Sequence, residues 1–302
     1  MNNRWKMLSK KTIYNISILL VLLFLFPSTS CGKDRENEYK ERVEDCTEKI
    51  KENPRSPWNY YDRGRVYLEL GQYDNAINDF NRSITIKNNI SIVYHALSRA
   101  YIGRGRYSDA LQAIENAIRI RPSITDYYQR AICYDNLKMI PQAIEDYTRF
   151  INSKPVLKSK DDRLDLPKEY FNSHKRRALL YFQIQKFEKT VEDVTEALNI
   201  YDKDPMLYSM RGHSYYNLGK LDESLNDLEQ SIKVDSSYSF SYVQIARVYA
   251  ARGEKEKTEK YVTRALKKGF SDYEILYAMT EIVDVLGKER IDALIARYSK
   301  KS

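Results

Sequence analysis

The chain has 302 residues, of which 42% are hydrophobic and 30% are charged, and its formal net charge is +8. Residues 1–30 hold four basic residues and no acidic one, so the rest of the chain carries only +4. Elsewhere Lys and Arg alternate with Asp and Glu, as on solvated helix surfaces. This composition excludes the concentrated basic patch that a nucleic-acid-binding protein needs, and no nucleic-acid partner is expected.

The first 30 residues predict an export signal. Basic residues precede a short apolar run from Ile18 to Phe26, and small residues lead up to Cys31. A basic start, an apolar core and small residues before a cleavage point are typical of a signal peptide. The alternative is a retained transmembrane helix, but the apolar stretch before Pro27 is shorter than the ~20 residues that a span needs.

Cys31 and the small residues before it resemble the end of a bacterial lipoprotein signal sequence. The resemblance implies that Cys31 receives a diacylglycerol, that residues 31–38 form a lipidated N-terminus and tether, and that the protein is a membrane-anchored lipoprotein. Two acyl chains hold a domain on a membrane stably, at about 0.8 kcal/mol per buried CH₂. Since a basic N-terminus stays in the cytoplasm, we expect the rest of the chain in the cell envelope, on the periplasmic or surface side.

A short pattern recurs six times after residue 56. Each copy has a small residue three positions before a tyrosine, another small or hydroxyl residue nine after it, and an apolar residue thirteen after it. The six copies are headed by Tyr67, Tyr101, Tyr134, Tyr181, Tyr215 and Tyr249. Four of the five spacings are 33 or 34 residues, and a period of this length predicts a solenoid of stacked units.

The second copy, ALSRAYIGRGRYSDALQAIENAIRIRP, resembles the tetratricopeptide repeat (TPR), with its turn at Gly105 and its closing Pro122. The resemblance covers roughly residues 57–272 and implies an all-α, right-handed α-solenoid of about six helical hairpins with capping helices at both ends. The third copy departs from the pattern at Pro141 and Phe150, and the sixth departs at Lys255.

This organisation predicts a set of boundaries along the chain. They are a signal peptide at 1–30, a tether at 31–38, an N-terminal capping half-repeat at 39–56, repeats at 57–90, 91–123, 124–157, 171–204, 205–238 and 239–272, an insertion at 158–170, and C-terminal capping helices at 273–302. The insertion contains Asp161, Asp162 and Asp165. It reads as a solvated loop, because the ligand spacing and the glycine of a calcium loop are missing.

Residue types that carry chemistry are sparse. His95, His174 and His213 occupy three different repeat positions, and no phosphate-binding glycine loop, nucleophile elbow or metal-spaced cysteine pair occurs. We therefore expect no enzyme activity, no cofactor, no metal and no small-molecule substrate. Cys46 and Cys133 lie too far apart along a solenoid for a disulfide, and Cys133 reads as a core thiol.

One face of each first helix is the predicted binding surface. Positions nine, six and two before each tyrosine and one after it share a helical face. In proteins that this chain resembles, that face lines a concave groove that receives a partner segment. Carried over by position, the groove includes Ile92, and the residues in it predicted to bind the partner are Trp58, Tyr61, Arg65, His95, Arg99, Tyr128, Lys175, Phe182, His213, Tyr216 and Arg247.

These features favour a non-enzymatic scaffold or adaptor at the bacterial cell envelope, whose N-terminal half binds an acidic or aromatic-containing peptide. One alternative is that the groove side chains merely pack against the neighbouring repeat. Another is a structural accessory subunit of an envelope assembly complex, binding through its convex face or caps. A cytosolic scaffold would require the leader to be ignored. Some relatives bind a terminal carboxylate through Lys and Asn, but Tyr61, Arg65, His95 and Arg99 stand at those places.

Overall fold

A computed structural model describes residues 32–153 and 168–298, and the helices within these ranges are α-helices. The predicted signal peptide and Cys31, together with Asp161, Asp162 and Asp165 of the insertion, lie outside the described residues. Within the described ranges there is no β-strand. Over the same ranges, no helix combines the length and the apolar character needed to cross a membrane.

The described helices fall into two compact units that divide between Asn88 and Asn89. The first unit holds α1 (Gly32–Glu52), α2 (Pro57–Glu69) and α3 (Tyr73–Ile86). Helices α2 and α3 form the first hairpin, and α1 packs against α2. Helix α1 begins at Gly32, so the charged stretch predicted as a tether at 31–38 enters the capping helix.

The second unit holds five hairpins and a cap. Their helices are α4 (Ser91–Gly103), α5 (Tyr107–Ile120), α6 (Ile124–Asn136), α7 (Ile140–Asn152), α8 (Lys168–Gln183), α9 (Phe187–Ile200), α10 (Pro205–Asn217), α11 (Leu221–Val234), α12 (Ser239–Ala251), α13 (Lys255–Lys267), α14 (Tyr273–Ala278), α15 (Thr280–Leu286) and α16 (Lys288–Tyr298). Each second helix packs against the first helix of its own hairpin and, up to α11, against the first helix of the next, while α13 packs against α15 and α16 of the cap. This is the solenoid-like arrangement of helical hairpins that the repeat period predicts.

The small residues of the pattern lie where the two helices of a hairpin approach each other. A Cβ added at Gly64 would lie 2.7 Å from Cε1 of Phe80, and one added at Gly212 would lie 2.8 Å from Cγ of Leu228. The residues thirteen after each tyrosine are all fully buried: Phe80, Ile114, Tyr147, Val194, Leu228 and Val262. Close backbone approach at a small residue, with a large apolar side chain filling the adjacent space, therefore forms each hairpin core.

The six tyrosines themselves are less buried than the pattern suggests. Only Tyr181 is buried, and the other five are half-buried. In the third hairpin, Tyr147 has no exposed surface, whereas Tyr134 packs at the edge of the same cluster. In this hairpin the ring thirteen residues later, rather than the tyrosine that heads the copy, fills the space between the helices.

Four hairpins are closed by an ion pair that the sequence analysis missed. An arginine on the first helix makes two hydrogen bonds, between 2.6 and 3.0 Å, to an aspartate sixteen residues later on the second helix. The pairs are Arg63–Asp79, Arg130–Asp146, Arg177–Asp193 and Arg211–Asp227. In the second and sixth copies the same two positions hold Leu97 with Ala113 and Ile245 with Tyr261.

Three of these arginines also donate to a threonine on the preceding second helix or cap. Arg63 Nη1 lies 3.2 Å from Thr47 Oγ1 of α1, and Arg211 Nη1 lies 2.9 Å from Thr195 Oγ1 of α9. Arg177 bonds Thr148 of α7 in the same way, at 2.7 Å. Each arginine therefore ties three successive helices and orients one hairpin on the element before it.

Three short helices form the C-terminal cap. Helix α15 ends at Gly287, which adopts a φ of 80° and separates it from α16. Ile282 and Leu286 of α15 and Ile291 and Leu294 of α16 are buried. These side chains join the core of the last hairpin, so the cap shields an apolar surface that no further repeat covers.

The two described cysteines, Cys46 and Cys133, are buried free thiols. Burial raises the pKa of the Cys133 thiol to about 12. The group is therefore a neutral core side chain, as the sequence predicted.

Candidate binding face

The predicted groove positions lie on what we call the first-helix face, formed in the second unit by α4, α6, α8, α10 and α12. First helices of successive hairpins contact each other there. In the first unit, α2 presents the corresponding positions by itself. Because side chains at these positions reach the neighbouring first helix, the face can be followed contact by contact from α4 to α12.

In the first unit, α2 carries Trp58, Tyr61 and Arg65 at groove positions. Trp58 and Arg65 are exposed, and the Arg65 guanidinium lies over the Tyr61 ring, 5.8 Å from its centroid. The Trp58 ring meets the Tyr61 ring edge to face at 5.8 Å. Tyr61 is buried, so it supports the two exposed side chains rather than offering its own surface.

In the second unit, α4 exposes Ile92 and Arg99. Ile92 is a large apolar side chain with 47% of its surface exposed. Arg99 forms no ion pair with another residue in the described part of the chain. An apolar side chain and a free guanidinium therefore stand together on this helix, which is the combination enriched at protein-binding hot spots.

His95 lies between them on the helix and is held by α6. Its Nδ1 lies 2.6 Å from Asp126 Oδ1, and Gln129 Nε2 lies 2.6 Å from its Nε2. The Ser123 backbone N–H donates to the other Asp126 oxygen at 2.8 Å, which completes a capping box at the start of α6. These contacts fix the orientation of the imidazole ring between α4 and α6.

Helices α6 and α8 meet through polar contacts. Asp135 Oδ2 of α6 accepts from Arg176 Nη1 of α8 at 2.9 Å. The Tyr128 ring packs against the Phe150 ring at a tilt of 35°, with centroids 5.0 Å apart, and burial raises the pKa of the Tyr128 hydroxyl. Lys175 donates to Asp204 at 2.6 Å, so its charge is already paired. In the middle section of the first-helix face, several charged side chains are therefore already paired within the chain.

Between α8 and α10 the face is aromatic. The Phe182 ring meets the His213 ring edge to face, with centroids 5.0 Å apart. Burial, and then the positive charge of Arg247, lower the pKa of His213 to about 4. His213 is consequently a neutral side chain at neutral pH and fits a packing role.

At α12 the cap closes the face. Arg247 Nη2 donates to Glu281 Oε1 of α15 at 3.1 Å, and Tyr216 donates its hydroxyl to the same oxygen at 2.7 Å. The Arg247 guanidinium also lies over the Tyr216 ring, 4.2 Å from the centroid. Burial and the bond to Glu281 raise the pKa of Tyr216 to about 12.

The polar groups of Arg247 and Tyr216, two of the predicted partner-binding residues, are therefore already bonded within the chain, so α12 offers less to a partner than α4 does. Arg247 is only 8% exposed, and both polar ends already bond a residue of the same chain. The sequence analysis missed Glu281 because it lies outside the repeat pattern, 34 residues beyond Arg247. It also missed Asp126 and Gln129, although Ser123 followed by Asp126 carried a helix-start signal.

The histidines do not assemble a chemical site. His95 and His213 lie at separate places on the face, and His174 is buried with its Nδ1 2.9 Å from Asp193 Oδ1, beside the ion pair of the fourth hairpin. Within residues 32–153 and 168–298, no group of three His, Cys, Asp or Glu side chains could hold a metal ion. The arrangement offers shape, charge and apolar surface for binding.

Comparison with known families identifies the repeats. Three family models, each described as a tetratricopeptide repeat, match residues 59–90 and 207–238, 92–121 and 127–155. The chain therefore contains tetratricopeptide repeats, and the resemblance noted in the sequence is confirmed. The assignment of the fourth and sixth copies as repeats is based on their sequence pattern and on the hairpins that α8 forms with α9 and α12 forms with α13.

Relatives and solved structures agree with this fold. The chain is 21% identical over 237 residues to an Hsp70-Hsp90 organizing protein of Triticum aestivum, and 23% identical over 235 residues to Hsp70-Hsp90 organizing protein 2 of Arabidopsis thaliana. Each match covers 75% of this chain but only 37% and 38% of the relative. The C-terminal part of a TPR repeat-containing protein from Cytophaga hutchinsonii matches with a TM-score of 0.59 and 18% identity, over 80% of this chain and 95% of that one.

Proposed function

We propose that this chain is a non-enzymatic protein-interaction scaffold of the bacterial cell envelope that binds a partner segment on the first-helix face of α4 and α6. Tetratricopeptide repeats are in general scaffolds rather than enzymes, and relatives carry names that describe the organising of Hsp70 and Hsp90. A protein partner is therefore the class that the comparisons support for this chain. The organising proteins are much longer, so their own partners are not carried over.

One observation supports the location of the site: side chains at equivalent repeat positions are exposed to solvent on α4 and bonded within the chain on α12. Ile92 and Arg99 of α4 are exposed, whereas Arg247, at the position of Arg99, is bonded to Glu281 of the cap. A segment that docks on α4 therefore displaces water, while one that docks on α12 would first have to break contacts within the chain.

The exposed side chains indicate the chemistry of the segment. A free guanidinium beside Ile92 favours a carboxylate next to an apolar or aromatic side chain, because Arg binds carboxylates with two parallel hydrogen bonds. His95 is held between them by Asp126 and Gln129 and gives this part of the surface a fixed shape. An acidic peptide with an apolar anchor satisfies both ends of this surface.

Site-specific photo-crosslinking tests the location. A photoreactive residue at Ile92 should yield defined adducts in cells, whereas the same residue at exposed Gln112 of the second helix α5 should not. Arg99→Glu should abolish the Ile92 adducts, and Arg121→Glu, at an exposed site after α5, should leave them intact. Identical adducts from Ile92 and Gln112, or adducts that persist in Arg99→Glu, would contradict the proposal.

The second candidate is an accessory subunit that binds through surfaces other than the first-helix face. Ile184, Tyr201 and Val234 are large apolar side chains that are exposed outside the groove positions. If probes at these three residues give the adducts and Ile92 gives none, the accessory function is the correct one.

The envelope location rests on the sequence before Gly32. A lipid on Cys31 would hold the chain at a membrane and present the scaffold on the periplasmic or surface side. Mass spectrometry of the mature N-terminus from membranes should find Cys31 with a diacylglycerol, and Cys31→Ser should release the protein or leave the leader uncleaved. An intact N-terminus beginning at Met1 in the wild type would refute lipidation and favour a retained anchor.

A further inference from the structure

A second surface lies at the turns of the third and fourth hairpins, away from the first-helix face. Four of the six hairpins have a glycine with positive φ four residues after the tyrosine: Gly71, Gly105, Gly219 and Gly253. The third and fourth hairpins instead place Lys138 at a φ of 63° and Gln185 at 58°. A side chain in this left-handed region is disfavoured, and such residues concentrate at functional sites.

Both turns border the same open pocket, which we call the turn pocket. It has a volume of about 600 Å³, and its apolar part comprises Ile140, Pro141, Ile144, Tyr181 and Ile184. Ile184 keeps 39% of its surface exposed. A large aliphatic side chain that faces an open pocket is suited to receive an apolar group from another molecule.

The charged side chains of the pocket all have one sign. Lys138, Lys186 and Lys189 line it, and no acidic residue does. In the described ranges none of the three lysines forms an ion pair, and Lys189 Nζ lies 5.4 Å from the centroid of the Tyr181 ring. Three unpaired ammonium groups around an apolar floor therefore leave the pocket electropositive.

Other hairpins satisfy the equivalent positions internally. At the two places three residues apart where the fourth copy has Lys186 and Lys189, the second copy has a salt bridge from Arg106 to Asp109 at 2.7 Å. The sixth copy pairs Lys257 with Glu254 at 2.6 Å, and the first copy joins Asn75 to Gln72 by a hydrogen bond of 3.0 Å.

The fourth copy instead places two like charges at the start of a helix, where the helix dipole disfavours cations. Left-handed side chains, an exposed isoleucine and unpaired lysines thus break three local preferences at one place. Violations of local preference that coincide at one place are typical of functional sites, because each one destabilises the fold without a compensating contact in it.

We infer that the turn pocket binds an acidic segment of a partner protein, with an apolar side chain inserted against Ile184 and flanking carboxylates bound by Lys138, Lys186 and Lys189. The apolar floor favours a peptide over a nucleic acid, whose phosphates would leave the floor unused. This site is separate from the first-helix face, so it does not depend on the groove hypothesis.

Peptide titration tests the site on the intact chain after leader removal. The probes are short fluorescent peptides in which Asp and Glu flank one Leu or Phe, with analogues that replace the acids by Asn and Gln or the apolar residue by Ala. We expect saturable binding of the acidic apolar peptides, weakened by added salt, and binding at least about tenfold weaker for both analogues. All titrations use the Arg99→Glu background, which removes the α4 site proposed for a similar peptide, so the binding that remains reports the turn pocket alone.

Matched variants separate binding from folding. Lys186→Glu with Lys189→Glu should weaken binding at least about tenfold, whereas Lys220→Glu, at the same turn position of the fifth copy, should not change it. Lys138→Gly relieves the left-handed strain but removes a ligand, so it should weaken binding without lowering the urea midpoint. Gln185→Gly relieves the same strain in the next turn and should leave binding unchanged.

Several results would overturn the inference. The first is that the lysine-to-glutamate double variant binds the acidic peptide as tightly as the chain without these two substitutions does, and the second is that the Asn and Gln peptide binds as tightly as the acidic one. The third is that no acidic peptide shows saturable binding, and the fourth is that the chain binds only to anionic phospholipid vesicles. In the last case the lysines would serve a membrane surface instead.

Discussion

Arg99 and Arg247 occupy the same repeat position, two residues before a tyrosine, but they have opposite surroundings. Arg99 on α4 is exposed and unpaired within the described ranges, whereas Arg247 on α12 is buried against Tyr216 and bonded to Glu281. The repeat pattern places an arginine on the first-helix face, but the neighbouring element determines whether that arginine is available. At α12 this neighbour is the cap.

The comparison separates a stabilising arginine from one available for binding. A buried ion pair loses solvation on both sides, so its net contribution is small, but removing one partner leaves the other charge uncompensated. An exposed arginine costs almost nothing to remove and retains its full capacity to bind a new carboxylate. Stability and binding should therefore respond in opposite ways at the two positions.

Truncation of the two arginines has the largest expected effect. Arg247→Ala should lower the free energy of unfolding by about 3 kcal/mol, because Glu281 loses its cationic partner in a partly buried place. Arg99→Ala should change it by less than about 0.5 kcal/mol. Urea unfolding gives the free energies, and hydrogen exchange over α15 should accelerate only in Arg247→Ala. Equal losses in the two variants would show that exposure does not distinguish them.

Acidification should weaken the closed end selectively. The pKa of His213 falls from 6.5 to about 4 on folding, first through burial and then through the charge of Arg247. As the pH falls, His213 is therefore protonated in the unfolded chain before it is protonated in the folded chain. This group leaves the free energy of unfolding at its full value above pH 6.5 and lowers it as the pH falls towards 4. Between pH 6.5 and 4 the protonation of His213 should lower the free energy of unfolding by roughly 2 to 3 kcal/mol.

The measurement is unfolding free energy against pH for the wild type and for His213→Gln, which carries no charge at any pH. The variant should have a flatter profile between pH 6.5 and 4. Arg99→Gln, on the open helix, should follow the wild-type profile. An unchanged slope in His213→Gln would assign the acid sensitivity to other groups.

Much of the architecture was predictable because it depends on contacts within one repeat length. The tyrosine period located the hairpins, and the small residues of the repeat pattern lie at the close helix contacts of Gly64 and Gly212. The arginine and aspartate pairs could have been found as well, since their spacing of sixteen residues recurs in four copies.

The closed part of the binding face was not predictable by the same means. Glu281 belongs to a cap that does not repeat, and nothing local to Arg247 indicates that a carboxylate will reach it. The half-buried state of Tyr134 also depends on Tyr147 filling the hairpin interior, and a position-by-position pattern does not rank the two rings. Sequence periodicity therefore gave the positions on the face, while their availability depended on tertiary neighbours.

The smallest expected effect tests which part of Tyr216 closes the face. Tyr216→Phe removes the hydroxyl that donates to Glu281 but keeps the ring beneath Arg247, so the loss should be about 1 kcal/mol, the usual value for one hydrogen bond. Tyr215→Phe is the control, because that tyrosine is also half-buried and its hydroxyl bonds no residue in the described ranges. It should cost less than about 0.5 kcal/mol.

If Tyr216→Phe matches Tyr215→Phe, the ring and the guanidinium alone hold the closed end. If its loss instead approaches that of Arg247→Ala, the hydroxyl positions Glu281 for the whole cluster. An intermediate loss, with hydrogen exchange increased at α15 and unchanged at α4, is the outcome expected of a cap fixed by several additive contacts, each weaker than the ion pair. Arg99 of α4 has no such partner in residues 32–153 and 168–298, so the removal of a contact at α12 should leave its exposure unchanged.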